Sequence, residues 1–245
     1  MRLETKWRPD SLLRFFAMLL LCLGMAGIAG YWLNKAIDAG FPMDEKTGLI
    51  MINILFLDVG ILFVTWMFLK ENALSWKDAF GLCSENLMSI ALMGALTAVA
   101  GFFMAAMVGA LVANVLEAMN IEVSTQEVVN TFQNAEHPAQ KLLLALMAVI
   151  FAPFVEELMF RGVLFTALKQ YLPRWIAIWG SALFFGLVHV NVMSFIPLTL
   201  LAVLLTRLYE RTSNLWAPIF AHAIFNSINL GLMLWLPELI ETQTP

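Results

Sequence analysis

Seven apolar segments constrain this chain more than any other feature. They run over residues 12–33, 48–69, 86–116, 140–171, 175–190, 192–208 and 215–236. A helix crosses a bilayer with about 20 mostly apolar residues. Inside lipid, each backbone N–H and C=O must find its partner within the protein. The chain is therefore predicted to be all-α, a polytopic transmembrane helix bundle of about seven spanning helices, with eight as the alternative count. The third and fourth segments exceed one crossing, so they tilt or extend beyond the bilayer; the fifth and sixth are short. Composition agrees: 61% of residues are hydrophobic and 13% charged, against about 25% charged in soluble domains. A net charge of −4 gives no reason to expect nucleic acid as a partner. Cys22 and Cys83 stand far apart and form neither a disulfide framework nor a thiolate cage.

The chain reads as a single membrane domain, 1–245, with N-terminal helices and an outer loop over 1–139 and a core over 140–230. Its start, "MRLETKWRPDSLLRFF", is basic and precedes the first apolar run. A signal peptide would carry an apolar stretch of only about 7–15 residues, so this run is predicted to be a retained first helix. Lys and Arg set the orientation. Ten of them, from Arg2 to Arg211, fall on the N-terminal side, while Lys35, Lys46 and Lys141 fall on the other. The N-terminus is thus expected in the cytoplasm, and the location expected is a bacterial inner (plasma) membrane.

Two further features look structural. Gly101, Ala105, Gly109 and Ala113 form a small-residue stripe on the third segment, which permits close helix packing. In the outer loop 117–139, Ser124 and Glu127 have capping-box spacing, and Val128, Val129 and Phe132 follow on one helical face. A short interfacial helix is expected there.

Ionisable residues inside spanning segments are functional candidates because they are costly in lipid. Here they are Glu156, Glu157, Arg161, His189 and His222, with Asp58 as a weaker candidate and Asn226 as a buried amide. Glu157 and Arg161 are four residues apart, hence neighbours on one helix face, and can neutralise each other. Glu156 is rotated about 100° away at 3.6 residues per turn, and Phe160 stands where its basic partner would be. His222 and Asn226 repeat the four-residue spacing, as do Phe185 and His189. Glu156 lies 17 residues before Pro173 and His189 lies 16 after it. At 1.5 Å per residue, both are predicted roughly 25 Å from that turn, on one level of a helical hairpin. His222 and Asn226 are predicted about 12 to 20 Å above the next turn on the same rise.

A carboxylate, two imidazoles and an amide in a dry cavity suit proton transfer near neutrality. A glutamate could take a proton from water with one histidine helping, while a second histidine and an amide donate to a developing oxyanion. That set describes amide hydrolysis. No serine or cysteine stands in a nucleophile motif, and no HExxH is present.

These residues resemble the CAAX prenyl protease and bacteriocin-processing family (CPBP, or Abi) of intramembrane endopeptidases. Three motifs carry the resemblance in order: "EELMFR" at 156–161, "FGLVH" at 185–189 and "HAIFN" at 222–226. The flanks "FRG" and "ERTSNLWAPIFAH" are similar too. Coverage is roughly residues 140–230, which the resemblance implies to be the catalytic core. It implies a hydrolase in which Glu156 is the base that activates water and His189 positions that water. His222 and Asn226 would form the oxyanion hole, with Glu157 and Arg161 bracing the site. The implied partner is a peptide or protein substrate at or in the membrane, with or without a lipid modification.

The favoured chemistry needs no cofactor. The alternative places Zn²⁺ on Glu156, His189 and His222, since three N/O ligands with an open position can hold catalytic zinc. A transporter or proton relay would use similar residues but calls for inverted repeats or broken helices in both halves, which the sequence does not present. A non-catalytic scaffold would have no use for so many costly polar groups.

Overall fold

The computed structural model describes residues 7–41, 45–83, 85–121, 127–135 and 137–235. Every regular element among the described residues is helical. Six helices are long and apolar enough to cross a membrane: Pro9–Asp38, Gly48–Glu71, Leu87–Ala118, Pro138–Tyr171, Val192–Thr212 and Trp216–Trp235. The seventh apolar helix, Arg174–Val188, has 15 residues. It rises only about 22 Å, short of the ~30 Å hydrocarbon core. All seven expected segments are therefore helices, and the protein is a multi-pass membrane protein. The described residues fall into two compact units, residues 7–79 and 80–235.

In the first unit, α1 (Pro9–Asp38) packs on a rod made of α2 (Glu45–Asn53), a π-helical turn (Ile54–Val59) and α3 (Gly60–Glu71). Pro9 opens α1, where its missing N–H would have had no partner anyway. The rings of Trp7 and Phe15 lie 4.9 and 5.2 Å from that of Phe68, and all three side chains are buried. Asn72 Nδ2 donates to Ser11 Oγ at 3.0 Å beside the exposed Arg14–Glu71 ion pair. A short α4 (Trp76–Phe80) follows.

The second unit holds α5 (Leu87–Ala118), α6 (Glu127–Gln133) and a long rod over 138–171. The rod consists of α7 (Pro138–Leu146), a π turn (Met147–Phe151), α8 (Ala152–Glu157), a second π turn (Leu158–Phe165) and α9 (Thr166–Tyr171). Leu172 is extended before Pro173, as sterics before a proline dictate, and the chain turns back into α10 (Arg174–Val188). Asn191 caps α11 (Val192–Thr212) by accepting from the Ser194 N–H at 2.9 Å. Asn214 links two elements. Its Oδ1 accepts from the Trp216 N–H at 2.9 Å at the start of α12 (Trp216–Trp235), and its Nδ2 donates to Cys83 O at 3.2 Å. Gly81, at φ +67°, lies so close to the Ser213 carbonyl that a side chain there would collide with it.

The small-residue stripe of α5 works nearer the helix start than expected. A Cβ on Gly94 would lie 3.0 Å from Ala217 O and 3.2 Å from Ala221 N, on the backbone of α12. One on Gly101 would meet Leu201 of α11 at 2.9 Å. Gly109 makes only ordinary contact, with Pro197 at 3.9 Å. Gly94, Ala98 and Gly101 therefore set how closely α11 and α12 approach α5, around a core of Ile90, Leu201, Leu205 and Phe225. The expected loop helix is present as α6, with Phe132 buried. Ser124, the expected cap, lies outside the described residues.

Candidate active site

The polar residues converge on the middle of the 138–171 rod. Glu157 ends α8, and Arg161 sits one turn on, inside the second π turn. Despite the wider winding, the two side chains meet: Arg161 Nη1 donates to Glu157 Oε1 at 2.7 Å. Neither is more than 1% exposed. Arg161 Nη2 also donates to the Ala202 carbonyl of α11 at 3.2 Å, and the guanidinium lies 4.7 Å from the centre of the Phe185 ring. The winding shortens the rise along the rod, so the α-helical distance from Pro173 to Glu156 is an overestimate.

His222 stands between the two glutamates. Its Nδ1 lies 2.8 Å from Glu157 Oε1, while its Nε2 faces Glu156 Oε2 at 3.8 Å. The first is a hydrogen bond, and the second is too long to be one. A carboxylate oxygen accepts, so Nδ1 carries the proton and Nε2 is the nitrogen turned toward Glu156. Glu157 thus does more than pair with Arg161, as its spacing led one to expect, since the same oxygen also orients the imidazole. Glu156 is freer, with 29% of its side chain exposed and Oε2 making no hydrogen bond within the protein.

His189 terminates α10, and its Nδ1–H donates to Phe185 O at 2.7 Å. In the neutral imidazole Nε2 is then an acceptor. The Phe185 ring lies 4.7 Å from the His189 ring and 5.8 Å from the His222 ring. It is fully buried, a wall shared by both histidines and Arg161. Asn226, one turn beyond His222 on α12, reaches the rod two turns earlier, where Nδ2 donates to Ala148 O at 2.8 Å.

The structure therefore brings Glu156, Glu157, Arg161 and His222 into one cluster and joins His189 to it through Phe185. The backbone participants, Ala148 O and Ala202 O, escape a reading of side chains alone. For Ala148 a signal does exist in the sequence, Pro153 five residues on. Among the described residues, no group of three or more His, Cys, Asp or Glu side chains is arranged to hold a metal ion. The Zn²⁺ alternative on Glu156, His189 and His222 finds no support in this donor geometry.

Residues 138–228 match the model of a family described as "Type II CAAX prenyl endopeptidase Rce1-like". The chain is 33% identical over 85 residues to "Putative membrane peptidase YdiL" of Bacillus subtilis (strain 168), covering 35% of each chain. It is 37% identical over 79 residues to "Uncharacterized protein YpbD" of the same organism, covering 31% of this chain and 38% of that one. These matches span little more than a third of the relatives' lengths. No solved structure matches the chain. All three motifs lie within residues 138–228, the stretch that is similar to the Rce1-like family.

Proposed function

We propose that the protein is an intramembrane endopeptidase that hydrolyses a peptide bond near the membrane by attack of a glutamate-activated water. The observation that carries this reading is the pairing of Glu156 Oε2, which has no hydrogen-bond partner in the protein, with His222 Nε2 at 3.8 Å. A base and a polarising group face one spot, and each is held by its own element.

Glu156 takes a proton from water, whose oxygen attacks the substrate carbonyl carbon. His189, its Nδ1 tied down, offers Nε2 to hold that water. As the carbonyl oxygen gains charge, His222 and Asn226 donate to it; His222 does so in its doubly protonated form, giving Nδ1–H to Glu157 and Nε2–H to the oxyanion. The tetrahedral intermediate collapses when the proton held by Glu156 passes to the leaving amine. Glu157 and Arg161 touch no reacting atom; they hold His222. The substrate is a peptide or protein at the membrane. The Lys and Arg distribution supports a cytoplasmic N-terminus in a bacterial inner membrane.

Purified protein in proteoliposomes, given quenched-fluorescent peptides with farnesylated and with unmodified C-terminal tails, tests the activity. Cleavage should disappear in Glu156→Ala, His189→Ala and His222→Ala. Full activity in all three variants would refute the reading. Peptidomics of membranes carrying wild type or Glu156→Ala then identifies the natural substrate.

A further inference from the structure

The hydrogen bond between Asn226 and Ala148 has a cause in the rod's own backbone. In an α-helix, Ala148 O would accept from the N–H of residue 152. Here Met147–Phe151 is wound as a π turn, and the Ala152 N–H goes instead to Met147 O, five residues back. A continued π ladder would give Ala148 O the N–H of residue 153. That residue is Pro153, which has none. Ala148 O is thereby stripped of both possible intrahelical donors. In a membrane-spanning rod a backbone carbonyl must find its donor within the protein, and Asn226 Nδ2 provides one at 2.8 Å.

The consequence falls on Asn226. A carbonyl can only accept, so its bond fixes which end of the carboxamide faces Ala148 and sets the plane of the amide. One Nδ2 hydrogen is used, and the second is left with a defined direction. Asn226 sits one turn from His222 on α12, so the amide is fixed relative to the imidazole that Glu157 orients.

We propose that Pro153, with the π turn before it, is a positioning residue for Asn226: it keeps Ala148 O out of the helix ladder so that this carbonyl can hold the amide in its oxyanion-binding orientation. This rests on the reading of Asn226 as an oxyanion donor. Pro153 acts through backbone chemistry, and its own side chain touches no reacting group.

The test is Pro153→Ala. It restores an N–H at position 153 and removes a helix-breaking residue, so the fold should be at least as stable as wild type. A merely structural proline would then leave the rate unchanged. With the quenched-fluorescent peptide that wild type cleaves, kcat should instead fall about tenfold or more, within the hundred- to thousandfold cost of losing an oxyanion donor, with KM nearly constant. In an Asn226→Ala background, Pro153→Ala should cost nothing further, because both act on one amide. A second readout needs no turnover. In protein labelled with ¹⁵N-asparagine in micelles, the Asn226 side-chain amide signal, assigned by its loss in Asn226→Ala, should move in Pro153→Ala. An unmoved signal, or equal falls in kcat with and without Asn226, overturns the proposal. A moved signal with full kcat, while Glu156→Gln is inactive, overturns it through the oxyanion role of Asn226 and leaves the peptidase reading standing. If wild type cleaves no peptide, the peptidase reading has failed, and the amide signal alone still decides whether Pro153 sets the amide.

Discussion

Glu157→Gln separates the two roles of a single oxygen atom. In the native site, Glu157 Oε1 accepts from Arg161 Nη1 at 2.7 Å and from His222 Nδ1 at 2.8 Å, with both members of the ion pair almost completely buried. Glutamine keeps the shape and removes the charge. Arg161 then retains the Ala202 carbonyl at 3.2 Å and the Phe185 ring at 4.7 Å, but has no carboxylate within bonding distance. Breaking a buried pair from one side costs about 3–5 kcal/mol. The glutamine oxygen can still accept one bond, and the contact with the Phe185 ring persists, so the low end, about 3 kcal/mol, is expected. Unfolding in mixed micelles, followed by tryptophan fluorescence against rising SDS, measures it. Replacing both partners, Glu157→Leu with Arg161→Met, removes the stranded charge and should return stability to within about 1 kcal/mol of wild type. Peptidase activity should not return with it, because His222 Nδ1 still lacks its acceptor. Two results would refute this reasoning. A Glu157→Gln protein as stable as wild type would mean that the pair is not buried and dry. A double variant that regains full activity would mean that Glu157 only neutralises Arg161 and that its bond to His222 is idle.

The other predictions separate chemistry from packing. Glu156→Gln should change stability by less than about 1 kcal/mol, since its Oε2 makes no hydrogen bond within the protein, yet lower kcat about 10²–10⁴-fold; the same SDS titration and peptide assay read both. Gly94→Val should cost about 1–3 kcal/mol, because its side chain would push on the α12 backbone at Ala217 and Ala221. Peptide cleavage should fall with it, since α12 carries His222 and Asn226. Peptide cleavage after extended chelator treatment should equal that of untreated protein, and loss restored specifically by Zn²⁺ would overturn the metal-free mechanism.

The helices were legible because lipid leaves the backbone few options: every apolar run of sufficient length became a helix, with ends shifted by a few residues. The Glu157–Arg161 contact was legible for the same reason, since a four-residue spacing brings side chains together before any tertiary structure is known. Helical rotation also set Glu156 apart from Glu157, and the two carboxylates do have different surroundings. Rotation could not show where the second glutamate's remaining bonding capacity goes, because His222 is 65 positions away and only helix packing decides that contact. The stripe on α5 was visible as a pattern, but which of its members bears the close approach depends on where α12 crosses it. Winding was harder still. Nothing in a 3.6-residue periodicity announces a π turn, and two of them flank the pair of glutamates. Such turns alter the backbone's hydrogen-bond pattern, so they expose carbonyls that a side-chain motif cannot reveal. Ala148 O is one of these.

The same backbone pattern bears on why the site is built on one rod. Glu156 and Glu157 leave α8 in adjacent directions, and α12 answers both with one histidine: Nδ1 bonds the bracing Glu157, and Nε2 turns toward the free carboxylate of Glu156. Four residues further along α12, the amide of Asn226 finds the carbonyl that the π turn and Pro153 leave unpaired. Two points fix a line. With His222 and Asn226 each tied to the rod, α12 cannot rotate about its axis without breaking a bond at one end or the other. On the mechanism proposed above, the oxyanion donors are therefore preorganised relative to the base by the same two contacts that seat the helix. Loss of either contact should loosen both donors together.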